Sequence, residues 1–178
     1  PIPLVSEQFQ YRAIGTVRGI YKPNDTEQFT RGYLVDKDGV EIEAVVLGRV
    51  MTLMRRHLAL EKPHLWVVYP RCRDVDLLHL QIAGIWEPST LELAASDQAD
   101  ARELDKASES SEDKLPEGDD YFSIRGELIF TKPENSELVI KIRQKSRSDG
   151  IKALPFKVQV KGQIPFEKLR NFVSLDVR

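Results

Sequence analysis

In the first half of the chain the hydrophobic period changes once on passing Gly48, from two to about 3.6, and then returns to strand-like runs. Beyond Gly48, Val50, Leu53, Met54, His57 and Leu58 fall on one side of RVMTLMRRHLAL, so one amphipathic helix is expected, ended before Pro63. Three strands precede it. Residues 11–22 (YRAIGTVRGIYK) are rich in β-formers, and Gly15 and Gly19 within them suggest a bulge or a close backbone approach, as where a barrel strand bends sharply. Pro23-Asn24-Asp25 is a turn, residues 29–35 a second strand, and Asp36-Lys37-Asp38-Gly39 a hairpin loop. Residues 40–47 return with Val40, Ile42, Ala44 and Val46 on one face. After the helix come strands at residues 64–69 and 77–86, with a polar loop at 70–76 between them.

Strand, strand, strand, helix, strand, strand over residues 11–86 resembles the OB-fold, a small five-stranded Greek-key barrel with a helix between its third and fourth strands. The resemblance rests on element order. An SH3-like barrel normally lacks such a helix, and an α+β layer fits the long glycine-containing first strand less well.

A compositional break bounds this first domain, taken as residues 1–93. Residues 94–120 (AASDQADARELDKASESSEDKLPEGDD) have no aromatic or β-branched residue and two isolated leucines, so they cannot bury enough apolar surface to offset their ordering entropy. They read as an acidic flexible linker. The overall charge of -2 divides accordingly: residues 1–93 hold 11 Lys/Arg and 12 Asp/Glu, residues 94–120 hold 3 and 10, and residues 121–178 hold 12 and 6. The last segment is therefore strongly basic.

Residues 121–178 echo the first segment. Lys22-Pro23-Asn24-Asp25 can be laid over Lys132-Pro133-Glu134-Asn135, and Gly48-Arg49-Val50 over Gly162-Gln163-Ile164. Strands are expected at residues 121–131, 137–145, 154–161 and 172–177, with a stub of helix at 166–170. The fifth strand is missing. A mainly β chain is thus expected, an OB-like barrel followed by a second, incomplete OB-like domain, as in a fragment cut inside a second barrel.

The resemblance implies that ligands meet the second and third strands and the loops joining strands one to two and four to five. In the second segment, Lys141, Arg143 and Lys145 alternate with Leu138, Ile140 and Ile142, Lys157 and Lys161 with Phe156, Val158 and Val160, and Arg125 with Ile124 and Gly126. With Arg147 and Lys152 in the connecting loop, one outer face would carry a stripe of basic residues suited to a phosphodiester backbone. In the first segment Arg31 and Tyr33 are of the right kind, although Glu41 and Glu43 would repel phosphate; Arg18, Lys22, Arg71 and Arg73 would form a rim of loops. Against this, outward lysines also serve solubility and edge protection, and the expected face has almost none of the aromatics that single-strand binders stack on bases.

No catalytic constellation is present. His57, His64 and His79 are dispersed, and no His-x-x-x-His, Cys-His-Asp or glycine-rich phosphate loop occurs. His57 reads as a packed residue and Cys72, flanked by two arginines, as an incidental loop thiol. One cysteine excludes an internal disulfide framework and a multi-cysteine zinc site, and with no apolar run near ~18 residues and no signal-peptide pattern a cytoplasmic location is expected. No metal or cofactor is implied. The expected function is non-catalytic binding of single-stranded RNA or DNA with little sequence preference. The alternative is a protein-interaction module whose basic face meets an acidic partner, anchored by Trp86, Tyr33 or Trp66.

Overall fold

The computed structural model describes residues 2–25, 27–57, 60–72, 77–86, 118–145, 150 and 153–178. Strands β1 (Arg12–Pro23), β2 (Arg31–Asp36) and β3 (Glu41–Val46) precede helix α1 (Gly48–His57), followed by β4 (His64–Cys72) and β5 (Leu78–Ile85). Then come β6 (Phe122–Lys132), β7 (Glu137–Ile142), β8 (Phe156–Lys161) and β9 (Phe172–Val177). Short 3-10 turns occupy Pro133–Asn135 and Phe166–Lys168. The chain divides into two compact units, one of residues 16–68 and 80–121, the other of residues 2–15, 69–79 and 122–178.

In the first unit the strands pair in the order β2-β3-β5-β4-β1, and β2 also pairs with β1, which closes a five-stranded barrel. Alternation along the strands is the reason: Val17, Tyr21, Leu34, Ala44, Val46, Trp66, Val68 and Leu80 are buried. Closure brings Gly19 opposite Asp36, where a Cβ would run into the carbonyl oxygen of Val35. Gly19 also accepts a hydrogen bond at its own carbonyl from the buried Trp66 indole N–H, 2.9 Å away. The close backbone approach expected at this glycine is what permits the barrel to close.

The β2–β3 hairpin turns through a left-handed Gly39 (φ 79°), with the Asp36 carboxylate accepting from the N–H groups of Asp38 and Val40 at 2.9 Å. In α1, Val50 and Met54 are buried as expected, while Leu53 lies at the margin, 36% exposed. One expectation fails at β4. Residues 70–72, expected in a polar loop, continue the strand. Trp66, Val68 and Pro70 are buried in alternation with half-buried Val67, Tyr69 and Arg71, so the period of two runs through the proline.

In the second unit β6 is the central strand. It pairs antiparallel with β7 through residues 127–132, with β9 through residues 122–127, and with the start of β1 through residues 122–125. β8 pairs with β7. Ala13, Ile124, Leu128, Leu138, Ile140, Ile142 and Val158 form the buried core, against which half-buried Tyr11, Phe156, Val173 and Leu175 pack. A register shift between Leu128 and Phe130 marks a β-bulge, which the sequence does not announce. It turns Phe130 outward, 44% exposed, and brings Thr131 inward, where its hydroxyl donates to the carbonyl of Ile164 at 2.7 Å. No helix among the described residues is long and apolar enough to cross a membrane.

Candidate functional site

The three strands β6, β7 and β8 place their polar residues as the alternation requires. Leu138, Ile140, Ile142 and Val158 are buried, whereas Lys157 and Lys161 are exposed and Lys141 half-buried on the outer side. Lys141 and Lys157 are directly opposed across β7 and β8. The face is mixed in sign, however. Glu127 opposes Lys141 from β6 and lies 3.7 Å from Arg170, while Glu137 opposes both Lys132 and Lys161. Two opposed ammonium groups repel each other, and Glu127 on the far side of Lys141 offsets part of that cost.

Arg125 has a different task. Its guanidinium donates to the carbonyls of Gln10 (3.0 Å) and Gln8 (2.7 Å) and to the hydroxyl of Ser174 (2.8 Å), and it lies over the Phe172 ring at 5.5 Å. It fastens residues 8–10 to β6 and β9, so its N–H groups are already engaged.

Arg143 and Lys145 leave the end of β7 exposed and line a cleft of about 470 Å³ within the second unit. Gln144 between them donates to the carbonyl of Leu154 at 3.0 Å and so closes the β7–β8 connection. The same cleft is lined by Arg71, half-buried, with its guanidinium 3.7 Å from the centroid of Phe156 and 5.8 Å from that of Tyr69. At 3.7 Å the guanidinium rests directly on the ring, a cation–π stack. Burial pushes the Arg71 pKa below the usual guanidinium value, against the opposing pull of Tyr69, but the group stays cationic. Phe9 and Tyr11 complete the aromatic lining. These rings come from the N-terminal stretch, β4 and the first residue of β8, so the strand pattern of the basic segment alone does not reveal them. The signal available is the unbroken alternation Val67, Tyr69, Arg71.

In the first unit Lys22, Tyr33 and Glu43 form one cross-strand row over β1, β2 and β3, and Arg31 is exposed opposite Val45. Tyr33 is 41% exposed. Trp66 is fully buried and His64 lies edge-on to it at 5.8 Å, so both are core residues and Trp66 offers no surface anchor. Arg18 is a strand residue and not part of a loop rim; it pairs with Asp119. Arg73, Arg147 and Lys152, together with residues 94–117 of the acidic stretch, lie outside the described residues. Cys72 is a half-buried free thiol. Among the described residues no group of three or more His, Cys, Asp or Glu is placed to hold a metal ion.

Residues 13–93 match a family model described as the N-terminal OB-fold domain of the PatR RNA-binding protein, and residues 124–178 match one described as a cyanobacterial OB-fold-like RNA-binding domain, C-terminal. No curated protein and no solved structure matches the chain. The strand order of the barrel, the helix between β3 and β4 and these two matches lead to one assignment: an OB-fold domain followed by a second, OB-like one.

Proposed function

We propose that this chain is a non-catalytic RNA-binding protein that takes single strands with little sequence preference, using the basic residues of its second domain. The two family descriptions favour RNA over DNA. The observation that carries the reading within the molecule is the exposure of Arg143 and Lys145 beside Arg71, Phe156 and Tyr69. Cations that neutralise phosphates stand next to rings and a guanidinium plane that stack with unpaired bases, the two elements single-strand binding combines. Lys141 and Lys157 extend the positive surface along the strands.

The test is a salt titration of binding to several unrelated single-stranded RNAs. Parent protein should bind them with similar affinities, and log K should fall linearly with log salt. Replacing Lys141, Arg143, Lys157 and Lys161 together by Glu should leave the fold intact and lower the magnitude of the salt slope by about one for each phosphate no longer neutralised. A folded quadruple variant that binds as the parent does, or a parent that binds no RNA at low salt, would leave an acidic protein partner as the function of this face.

A further inference from the structure

Among the described residues, the cleft of the second unit holds a cation with no carboxylate paired to it. Among the described residues, Arg71 makes one hydrogen bond, from Nη1 to the adjacent carbonyl of Pro70 at 3.0 Å, and no carboxylate pairs with it. A guanidinium has five N–H donors, and burying it without a counter-charge costs free energy. A merely structural arginine in this position would be expected to resemble Arg125, whose donors are taken up by two carbonyls and a hydroxyl. Arg71 instead lies on Phe156 in the lining of a cleft that Tyr69, Arg143 and Lys145 also line. Among the described residues of the lining, Glu7 is the one acidic side chain.

We propose that this cleft is a single-nucleotide subsite, in which one unpaired base of the RNA stacks on the platform made by Arg71 and Phe156 while Arg143 and Lys145 hold the flanking phosphates. The proposal rests on the RNA-binding reading above and goes beyond the strand faces on which that fold usually carries its ligands. Size supports it, since about 470 Å³ lies in the lower part of the range for small-ligand pockets and suits one nucleotide better than several. Chemistry supports it as well. A guanidinium stacked on a phenyl ring presents a delocalised cationic plane to a base, and its remaining N–H groups reach base-edge or phosphate oxygens. Stacking on the platform is open to every base, since each has a π-face.

The experiment uses the whole chain and a short oligouridine RNA carrying one 2-aminopurine, whose emission reports stacking, with anisotropy of an end label reporting total binding. For the parent, binding should change the 2-aminopurine emission. Arg71→Lys retains the charge and removes the plane; it should abolish the emission change and weaken binding about tenfold while leaving the salt slope as it was. Phe156→Leu should act in the same direction, and an unaltered urea midpoint for Arg71→Lys keeps the result independent of folding. Lys141→Glu, outside the cleft, should lower the salt slope and leave the emission change in place. If RNA binds with its salt dependence but Arg71→Lys behaves as the parent, or 2-aminopurine emission never changes, the subsite is refuted and RNA binding stands. A parent that binds no RNA refutes both.

Discussion

Arg18 and Asp119 form a two-pronged ion pair in the first unit, Nε to Oδ2 at 2.8 Å and Nη2 to Oδ1 at 3.2 Å. By sequence Arg18 is a cation available to phosphate, yet a carboxylate from the end of the acidic stretch already occupies its fork. The two side chains are 31% and 42% exposed, so solvent screens the pair and a coupling of about 0.5–1 kcal/mol is expected from a double-mutant cycle of Arg18→Ala and Asp119→Ala in urea. That coupling should shrink as salt is raised from roughly 0.01 M to roughly 1 M, over which the Debye length falls from about 30 Å to about 3 Å. Asp119→Asn should also free Arg18 and raise RNA affinity modestly at low salt; an unchanged affinity would show that Arg18 contributes nothing to the binding surface.

Gly19→Ala tests how the barrel closes. The added methyl would meet the carbonyl of Val35 on the neighbouring strand, a backbone atom that cannot swing aside as a side-chain end can. Overpacking of this kind costs about 1–3 kcal/mol. A fall in the urea midpoint with unchanged slope is the expected result. Ala at Gly48, where a Cβ meets nothing within 4 Å, is the control and should be neutral or stabilising.

What is legible in the sequence divides along a physical line. Periodicity locates the helix, the four strands of the second domain and the outward lysines, because burial acts on each residue through its own side chain. The β-bulge after Leu128 leaves no such trace, because one inserted residue changes the register without changing the local composition. Pro70 reads as a loop signal, since proline usually interrupts a ladder, whereas here it lies buried within β4. The cleft is illegible for a different reason. Arg71 and Phe156 meet only after three separate stretches, residues 2–15, 69–79 and 122–178, have come together. The last is plainly basic in sequence and the other two are mixed, and nothing in any of them specifies the others.

Tyr21 makes stability depend on alkaline pH. Its side chain is buried, with the residue 1% exposed, its hydroxyl donates to the carbonyl of Phe29 at 2.8 Å, and burial raises its pKa from 10.0 to about 12. The folded protein therefore retains a proton that the unfolded chain releases first. Stability from this source is fully present below pH ~10 and is lost as pH rises toward ~12, up to about 2–3 kcal/mol. Tyr21→Phe should flatten that part of the pH profile at a constant cost of about 1 kcal/mol for the missing hydrogen bond. Urea titrations between about pH 8 and 11.5 would decide it, and an equally steep decline in Tyr21→Phe would assign the alkaline loss to another group.

The second unit draws structural support from outside residues 121–178. Its central strand β6 takes part of its pairing from residues 12–15 of β1, and Ala13 lies in its core. Phe9 and Tyr11 stack edge-on against Phe172 at 5.4 and 5.1 Å, and Arg125 ties the same stretch down through the carbonyls of Gln8 and Gln10. Without residues 2–15 the half-buried Arg125 loses two acceptors, β6 loses a neighbour and Phe172 loses both rings. Expressed alone, residues 121–178 should therefore show no cooperative urea transition, with weak amide protection along Phe122 to Arg125. In the full chain Arg125→Ala should reproduce part of this loss, about 1.5–3 kcal/mol, because it removes hydrogen bonds made by a charged group. Lys141→Ala should stay within about 0.5 kcal/mol, as a surface change does. An isolated segment as stable as the full chain, or an Arg125→Ala variant no weaker than Lys141→Ala, would mean that the N-terminal stretch decorates the second unit without supporting it.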